Sequence, residues 1–306
     1  MSPSPAARIG LLQISLAGVL WGTSGLAVQL IREVTPMSAL VISAYRMAIA
    51  AVVLGAAVLA LRQLSGITRL LRESPGHTVL VGVSTAAYQA LYFASIVNVG
   101  VTVATVVSLG LAPVLLTVGE SLHDHRWPGT RRVLVLTAAL AGLLLVSIGA
   151  GSVGTGPHPA LGVLAATGSG TAYALTTVVG RPLARRAGPL TLTTTTTTVG
   201  ALALLPLGVA SGLAGSPVVS ADPVVIVALA CLGVLTMALA YGLLYAGLRT
   251  TSGSSAVIAT LLEPVTAAVV AALFLDERVG ALAVTGVVLI LVAVAGLREE
   301  PVVPPG

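Results

Sequence analysis

The chain has 306 residues, a net charge of +5 and a mean hydropathy of +1.05; 56% of its residues are hydrophobic and only 8% are charged. A soluble domain carries about 25% charged residues, and no soluble fold of this length needs so much apolar surface, so the excess must face lipid. There is no lysine, and the arginines sit singly or in small groups between apolar runs, which excludes a continuous nucleic-acid-binding face and fits membrane topology instead.

In chain order, apolar stretches at 10–31, 37–61, 78–97, 101–122, 132–149, 159–183, 190–210, 224–248, 254–275 and 280–297 read as ten helices near bilayer-spanning length. Strands are excluded by the lack of ten-residue alternation. The first stretch is too long for a signal-peptide core and reads as a retained helix. Turn chemistry punctuates the rest: Thr35-Pro36, Ser74-Pro75-Gly76, Trp127-Pro128-Gly129, Gly188-Pro189 and Asp222-Pro223. The least marked division, at Asn98-Val99-Gly100, separates the third helix from the fourth. Cys231 is the single cysteine, which excludes an intrachain disulfide and a cysteine-cluster metal site; within its apolar run it reads as a small buried hydrophobe.

The arginines set orientation. With the N-terminus cytoplasmic, the cytoplasmic segments hold Arg8, Arg62, Arg69, Arg72, Arg126, Arg131, Arg132, Arg181, Arg185, Arg186, Arg249 and Arg298. The opposite side holds Arg32 and Arg278, and Arg46 lies inside a helix. This asymmetry predicts ten spans with both ends cytoplasmic, in the cell membrane.

The two halves also resemble each other. Tyr88 and Tyr92 match Tyr241 and Tyr245 at an offset of 153, as Gly100 matches Gly253. Leu111-Ala112-Pro113-Val114 matches Leu262-Glu263-Pro264-Val265 at 151, and Gly10 to Trp21 matches Gly162 to Tyr173 at 152. The organisation expected is a tail (1–9), a five-helix repeat (10–150), a Gly/Ser/Pro linker (151–158), a second five-helix repeat (159–297) and a tail (298–306). Five helices is an odd number, so the second repeat enters the membrane from the opposite side. Inverted repeats of this kind allow alternating access around a midplane site.

Further residues carry a family resemblance: Leu20-Trp21-Gly22, Ala44-Tyr45-Arg46, Ser252 to Ala256, Leu262-Glu263-Pro264-Val265, Ala272 to Leu275 and Asp276-Glu277-Arg278. On these the chain resembles the drug/metabolite transporter superfamily, specifically its EamA type. The resemblance implies an all-α membrane fold of ten helices that exports or exchanges small metabolites or drugs. Two departures stand out. His123 to Trp127 replaces the acidic–basic pair of the first repeat, and the first helix has Gln13 but no carboxylate for proton coupling.

Arg46 and Glu263 are the charges whose burial demands a reason, since a charge at midplane costs about 2.5–3.5 kcal/mol on insertion scales. Arg46 reads either as a counter-ion for an anionic substrate group or as a structural partner of Glu263 or of backbone carbonyls. Glu263 precedes Pro264, which removes an amide donor and predicts a helix kink, as does its repeat mate Pro113. Its functional reading is proton coupling or recognition of a cationic group; the alternative is helix bending with a local hydrogen bond. Each tyrosine pair, Tyr88 with Tyr92 and Tyr241 with Tyr245, shares one helix face. Each pair lines a central cavity or belts the membrane interface. Gln89 and Asn98 are further polar-lining candidates.

Glu120 is expected to pair with Arg126 or Arg131. Gly18-x3-Gly22 reads as a close-packing face, Thr193 to Thr198 as hydroxyls bonded to their own helix, and Ser252 to Ser255 as a cap. No phosphate loop, nucleophile elbow or metal-spaced histidine pair is present, so the expectation is a non-enzyme without cofactor or metal. Its partners are the bilayer, a small-molecule substrate and protons, and no nucleic acid; oligomeric state is not encoded legibly. The competing readings are a nontransporting membrane subunit or sensor, and a passive pore.

Overall fold

The computed structural model describes residues 5–149, 157–274 and 280–297. The linker core at 150–156, the motif Asp276-Glu277-Arg278, and Arg298 with both outermost tails lie outside the described residues.

Among the described residues every regular element is a helix: α1 (Pro5–Gly22), α2 (Ser24–Val34), α3 (Ala39–Ala60), α4 (Leu64–Glu73), α5 (Pro75–Val99), α6 (Val101–His123), α7 (Thr130–Gly149), α8 (Pro159–Arg186), α9 (Pro189–Leu213) and α10 (Pro223–Cys231). A π-helical segment (Leu232–Leu239) then leads into α11 (Ala240–Leu248), followed by α12 (Gly253–Ala259), α13 (Leu262–Phe274) and α14 (Ala281–Ala295). Among the described residues, eight bodies are long and apolar enough to cross a bilayer: α1–α2 together, α3, α5, α6, α7, α9, α10 through α11, and α12–α13 together. Each of the ten predicted stretches falls on a helix. Two do not reach spanning length and apolarity: α8, diluted by Thr, Ser and Gly, and the shorter α14. The protein is thus a multi-pass membrane protein.

Boundaries follow local chemistry. Proline opens α5, α8, α9 and α10, where its missing amide costs nothing. Ser38 caps α3 by accepting from the Val41 amide, and Asp222 caps α10 by accepting from that of Val224. Gly100 divides α5 from α6 at φ 86°, a left-handed conformation that favours glycine.

The sequence reading missed two elements. Helix α4 is short, and its arginines read as loop; its Leu70 is buried, and Gly66 lies close against Thr191 of α9. The π segment carries no compositional mark. Cys231 is exposed rather than buried, because α10 presents that face outward, and an apolar outward face is what lipid favours.

The helices pack as α5 on α8 and α1 on α11, α6 on α8 and α13 on α1, α3 on α9, and α7 on α14. Small residues permit the closest crossings. A Cβ on Gly142 would lie 2.7 Å from the Gly286 carbonyl, and one on Gly286 would lie 2.6 Å from that of Gly142. The Gly18 and Gly22 face of α1 meets the carbonyls of Thr260 and Glu263 in the same way. The start of α1 bonds to Thr250, and the end of α14 bonds to Arg131. We call this the proximal end of the bundle. The distal end holds Ser38, whose hydroxyl shares a 2.7 Å hydrogen bond with that of Ser211.

Candidate functional site

Helices α12 and α13 form one rod broken at Thr260 and Leu261. The cause is Pro264, which cannot donate to the Thr260 carbonyl one turn back; the Glu263 amide reaches that carbonyl instead, at 2.9 Å. The break leaves Thr260 free to share a 2.8 Å hydroxyl hydrogen bond with Tyr173 of α8. Helix α6 carries Pro113 but runs unbroken through it.

Two aromatic contacts flank the break. Tyr88 of α5 meets Tyr173 of α8 with ring centroids 5.1 Å apart, and Trp21 of α1 meets Tyr241 of α11 at the same 5.1 Å. Within their helices, Tyr88–Tyr92 and Tyr241–Tyr245 are each 6.2 Å apart. Trp21 is further fixed by its indole N–H, which donates to the Thr236 carbonyl in the π segment at 2.7 Å. A π turn displaces its carbonyls from the α-helical ladder, and here one of them holds the aromatic pair.

Arg46 and Glu263 stand among these rings. Arg46 lies near Glu263, Tyr241 and Tyr88, and Glu263 lies near Tyr88, Tyr92, Tyr173 and Tyr241. Both side chains lie deep in the protein yet are only half-buried, so they border open space. They do not form an ion pair within 4.0 Å among the described residues, and Arg46 Nε has no hydrogen-bond partner. Gln89, 4% exposed, has neither amide atom bonded. A buried polar group left unpaired costs about 1–3 kcal/mol.

Of the sequence candidates, Arg46, Glu263, Tyr88, Tyr92 and Tyr241 come together, and Gln89 lies on α5 beside Tyr88. Tyr245 is fully buried, its hydroxyl beside those of Thr85 and Thr196, away from the charged pair. Asn98 spends its amide on the Ala94 carbonyl of its own helix. Tyr173 was missed as a candidate. Its signal was its place in the repeat, where it matches Trp21.

A second charged cluster lies at the proximal end. Arg132 of α7 donates to Glu120 of α6 at 2.6 Å and to Ser254 of α12 at 2.9 Å. Glu120 also accepts from the Ser254 amide and hydroxyl, at 3.1 and 2.6 Å. The partner of Glu120 is therefore neither Arg126 nor Arg131. Consecutive residues on a helix point about 100° apart, and Arg131 is turned instead to the Gly296 carbonyl at the end of α14. Ser252 caps α12 by accepting from the Ser255 amide at 3.2 Å. In the threonine run, Thr193, Thr194, Thr195, Thr196 and Thr198 each donate to the carbonyl four residues back.

The sequence profile of the EamA-like transporter family matches this chain twice, over residues 8–148 and 160–298. The chain belongs to the EamA-like transporter family. The uncharacterized transporter YwfM of Bacillus subtilis (strain 168) is 26% identical to this EamA-like protein over 304 residues, covering 95% of this chain and 94% of YwfM. A crystal structure of another protein, 22% identical, superposes with a TM-score of 0.76 over 96% of both chains and shows that the fold is shared. Membership in the family makes this protein a membrane transporter of small molecules, a non-enzymatic role.

Proposed function

We propose that this EamA-like protein is a secondary transporter that exports small metabolites carrying both an ammonium and a carboxylate, amino acids above all, with amphipathic drugs as further cargo. It works by alternating access between ten spans arranged as two inverted five-helix repeats, 10–150 and 159–297. Both termini are cytoplasmic in the cell membrane. One observation carries the reading: a cation and an anion, Arg46 and Glu263, stand unpaired inside one aromatic enclosure built from both halves. A zwitterion supplies the partner each lacks, and the rings of Trp21, Tyr88, Tyr173 and Tyr241 face its apolar part.

Several features support the inverted arrangement. The two family matches begin 152 residues apart. The contacts come in related pairs: Tyr88–Tyr173 with Trp21–Tyr241, and Gly170 against Ser108 with Gly18 against Thr260. Such a layout gives two related conformations around one site. Helix α12 is buried at every residue, whereas α13 buries only Pro264 and Val265. The buried α12 packs inside the bundle at the proximal end, whereas the exposed apolar residues of α13, Val269, Leu273 and Phe274, form a lipid-facing surface. Glu263 then serves as the proton-exchanging group, since the first helix offers none.

The test is uptake of labelled amino acids by reconstituted vesicles, with and without a pH gradient. Accumulation against a concentration gradient that disappears with the pH gradient fits the proposal. Flux that no ion gradient drives uphill would make the protein a passive pore. Stoichiometric binding of a partner without flux would make it a subunit or sensor.

A further inference from the structure

The proximal end carries a second concavity, remote from the aromatic enclosure. It is a cleft of about 540 Å³ between the start of α1, the α8–α9 turn and the end of α11. Its polar lining is Arg185, Arg249, Gln13 and Thr250, and its walls include Ile9 and Ala246. Both arginines are exposed, and neither is within 4.0 Å of a carboxylate among the described residues. Two guanidinium groups in one concavity, with no carboxylate within 4.0 Å among the described residues, define a site for an anion. Guanidinium forks match phosphate oxygens in geometry as well as in charge.

An apolar track leaves the same cleft. Ile9, which lines it, is followed along one face of α1 by Leu12, Leu16 and Val19, all exposed large hydrophobics. The spacing of three, four and three residues keeps them in register on the helix surface. From Ile9 to Val19 α1 rises about 15 Å, half of the roughly 30 Å hydrocarbon core and so the depth of one leaflet. A free phosphate would use only the polar head of this arrangement. A molecule with a phosphate and an acyl chain would use all of it.

We propose that this cleft binds the headgroup of an anionic phospholipid from the proximal leaflet, with one acyl chain laid along Ile9, Leu12, Leu16 and Val19. Basic pockets between transmembrane helices suit such headgroups. The lipid also has a mechanical consequence. Thr250 donates to the Ala6 carbonyl at 3.1 Å, joining the start of α1 to the end of α11 beside the cleft. These two helices carry Trp21 and Tyr241 of the enclosure, so a lipid seated there braces the pair from its cytoplasmic end.

The experiment is native mass spectrometry of the purified full-length protein after equilibration with equal amounts of phosphatidylglycerol and phosphatidylcholine, which reads lipid binding whether or not transport occurs. Wild type is expected to retain phosphatidylglycerol roughly tenfold over phosphatidylcholine, the scale of one to two charge contacts. The paired change Arg185→Gln with Arg249→Gln should bring the ratio to parity, while Arg185→Lys with Arg249→Lys should keep most of it. Arg69→Gln with Arg72→Gln, on α4 outside the cleft, should leave it unchanged. If the glutamine pair cannot be purified, Leu12→Ser with Leu16→Ser tests the acyl track and should lower total lipid retained. Four results would overturn the proposal: no preference in wild type, preference surviving the glutamine pair, equal loss in the α4 variant, or displacement of the lipid by inorganic phosphate.

Discussion

Among the described residues, two acid–base pairs drawn from different helices are built in opposite ways. Glu120 and Arg132 meet at 2.6 Å, and every group around them is answered: the carboxylate also takes the Ser254 amide and hydroxyl, and the guanidinium also reaches Ser254. Arg46 and Glu263 stand in one enclosure without touching, and Arg46 Nε is left with no partner. The first pair joins α6 and α7 to the start of α12, and its chemistry is complete. The second is incomplete, and incompleteness at depth is what a transport site requires, because a fully paired charge has nothing left to offer a ligand. A satisfied pair should respond to mutation in stability, and an unsatisfied pair in transport.

The largest effect is expected at Glu263. Glu263→Gln should lower pH-driven uptake by about a hundredfold, the scale of removing one member of a buried charge contact, with the melting temperature unchanged. Unaltered uptake would break the contrast. Arg46→Gln should weaken the apparent affinity for a zwitterionic substrate by roughly thirtyfold, about 2 kcal/mol. Isothermal titration should show a smaller loss for an analogue with its carboxylate esterified. The opposite pattern is expected at the proximal pair. Glu120→Ala strands the Ser254 amide and Arg132, and should cost about 1–3 kcal/mol of stability while substrate affinity stays within threefold. Thermal denaturation with ligand titration checks both halves of that statement.

Smaller effects sharpen the frame around the site. Gly22→Ala places a methyl 2.5 Å from the Glu263 carbonyl and of the Thr266 side chain, so α1 must shift at a cost of about 1–3 kcal/mol. Trp21→Phe keeps the ring against Tyr241 but loses the bond to Thr236. It should cost about 1 kcal/mol, read as a small drop in melting temperature with transport retained.

The same contrast explains what was legible in advance. The intramembrane charges announced themselves, since no bilayer-spanning helix carries Arg46 or Glu263 without cost. Their lack of contact did not, because it depends on how α3 and α13 sit in the bundle. Arg132 was not recognisable as the partner of Glu120, since the choice among Arg126, Arg131 and Arg132 is made by the packing of α7 between α6 and α14. Tyr173 stood in the open as the match of Trp21, but one tyrosine in an apolar helix carries no signal until its contact with Tyr88 is seen. Helix α4 escaped because ten residues with two arginines look like a loop, and its burial against α9 comes from a remote segment.

Hydropathy, arginine placement and turn residues by themselves determined that this chain is a multi-pass helical membrane protein, and where its long apolar helices lie. Those properties are local: a lipid-facing segment must be apolar and must satisfy its own backbone wherever its neighbours are. Tertiary packing alone decided which charges are paired and which remain open, and that a π turn anchors Trp21. These outcomes depend on contacts between segments more than a hundred residues apart, such as Trp21 with Thr236 and Glu120 with Ser254. No short window of sequence contains both partners.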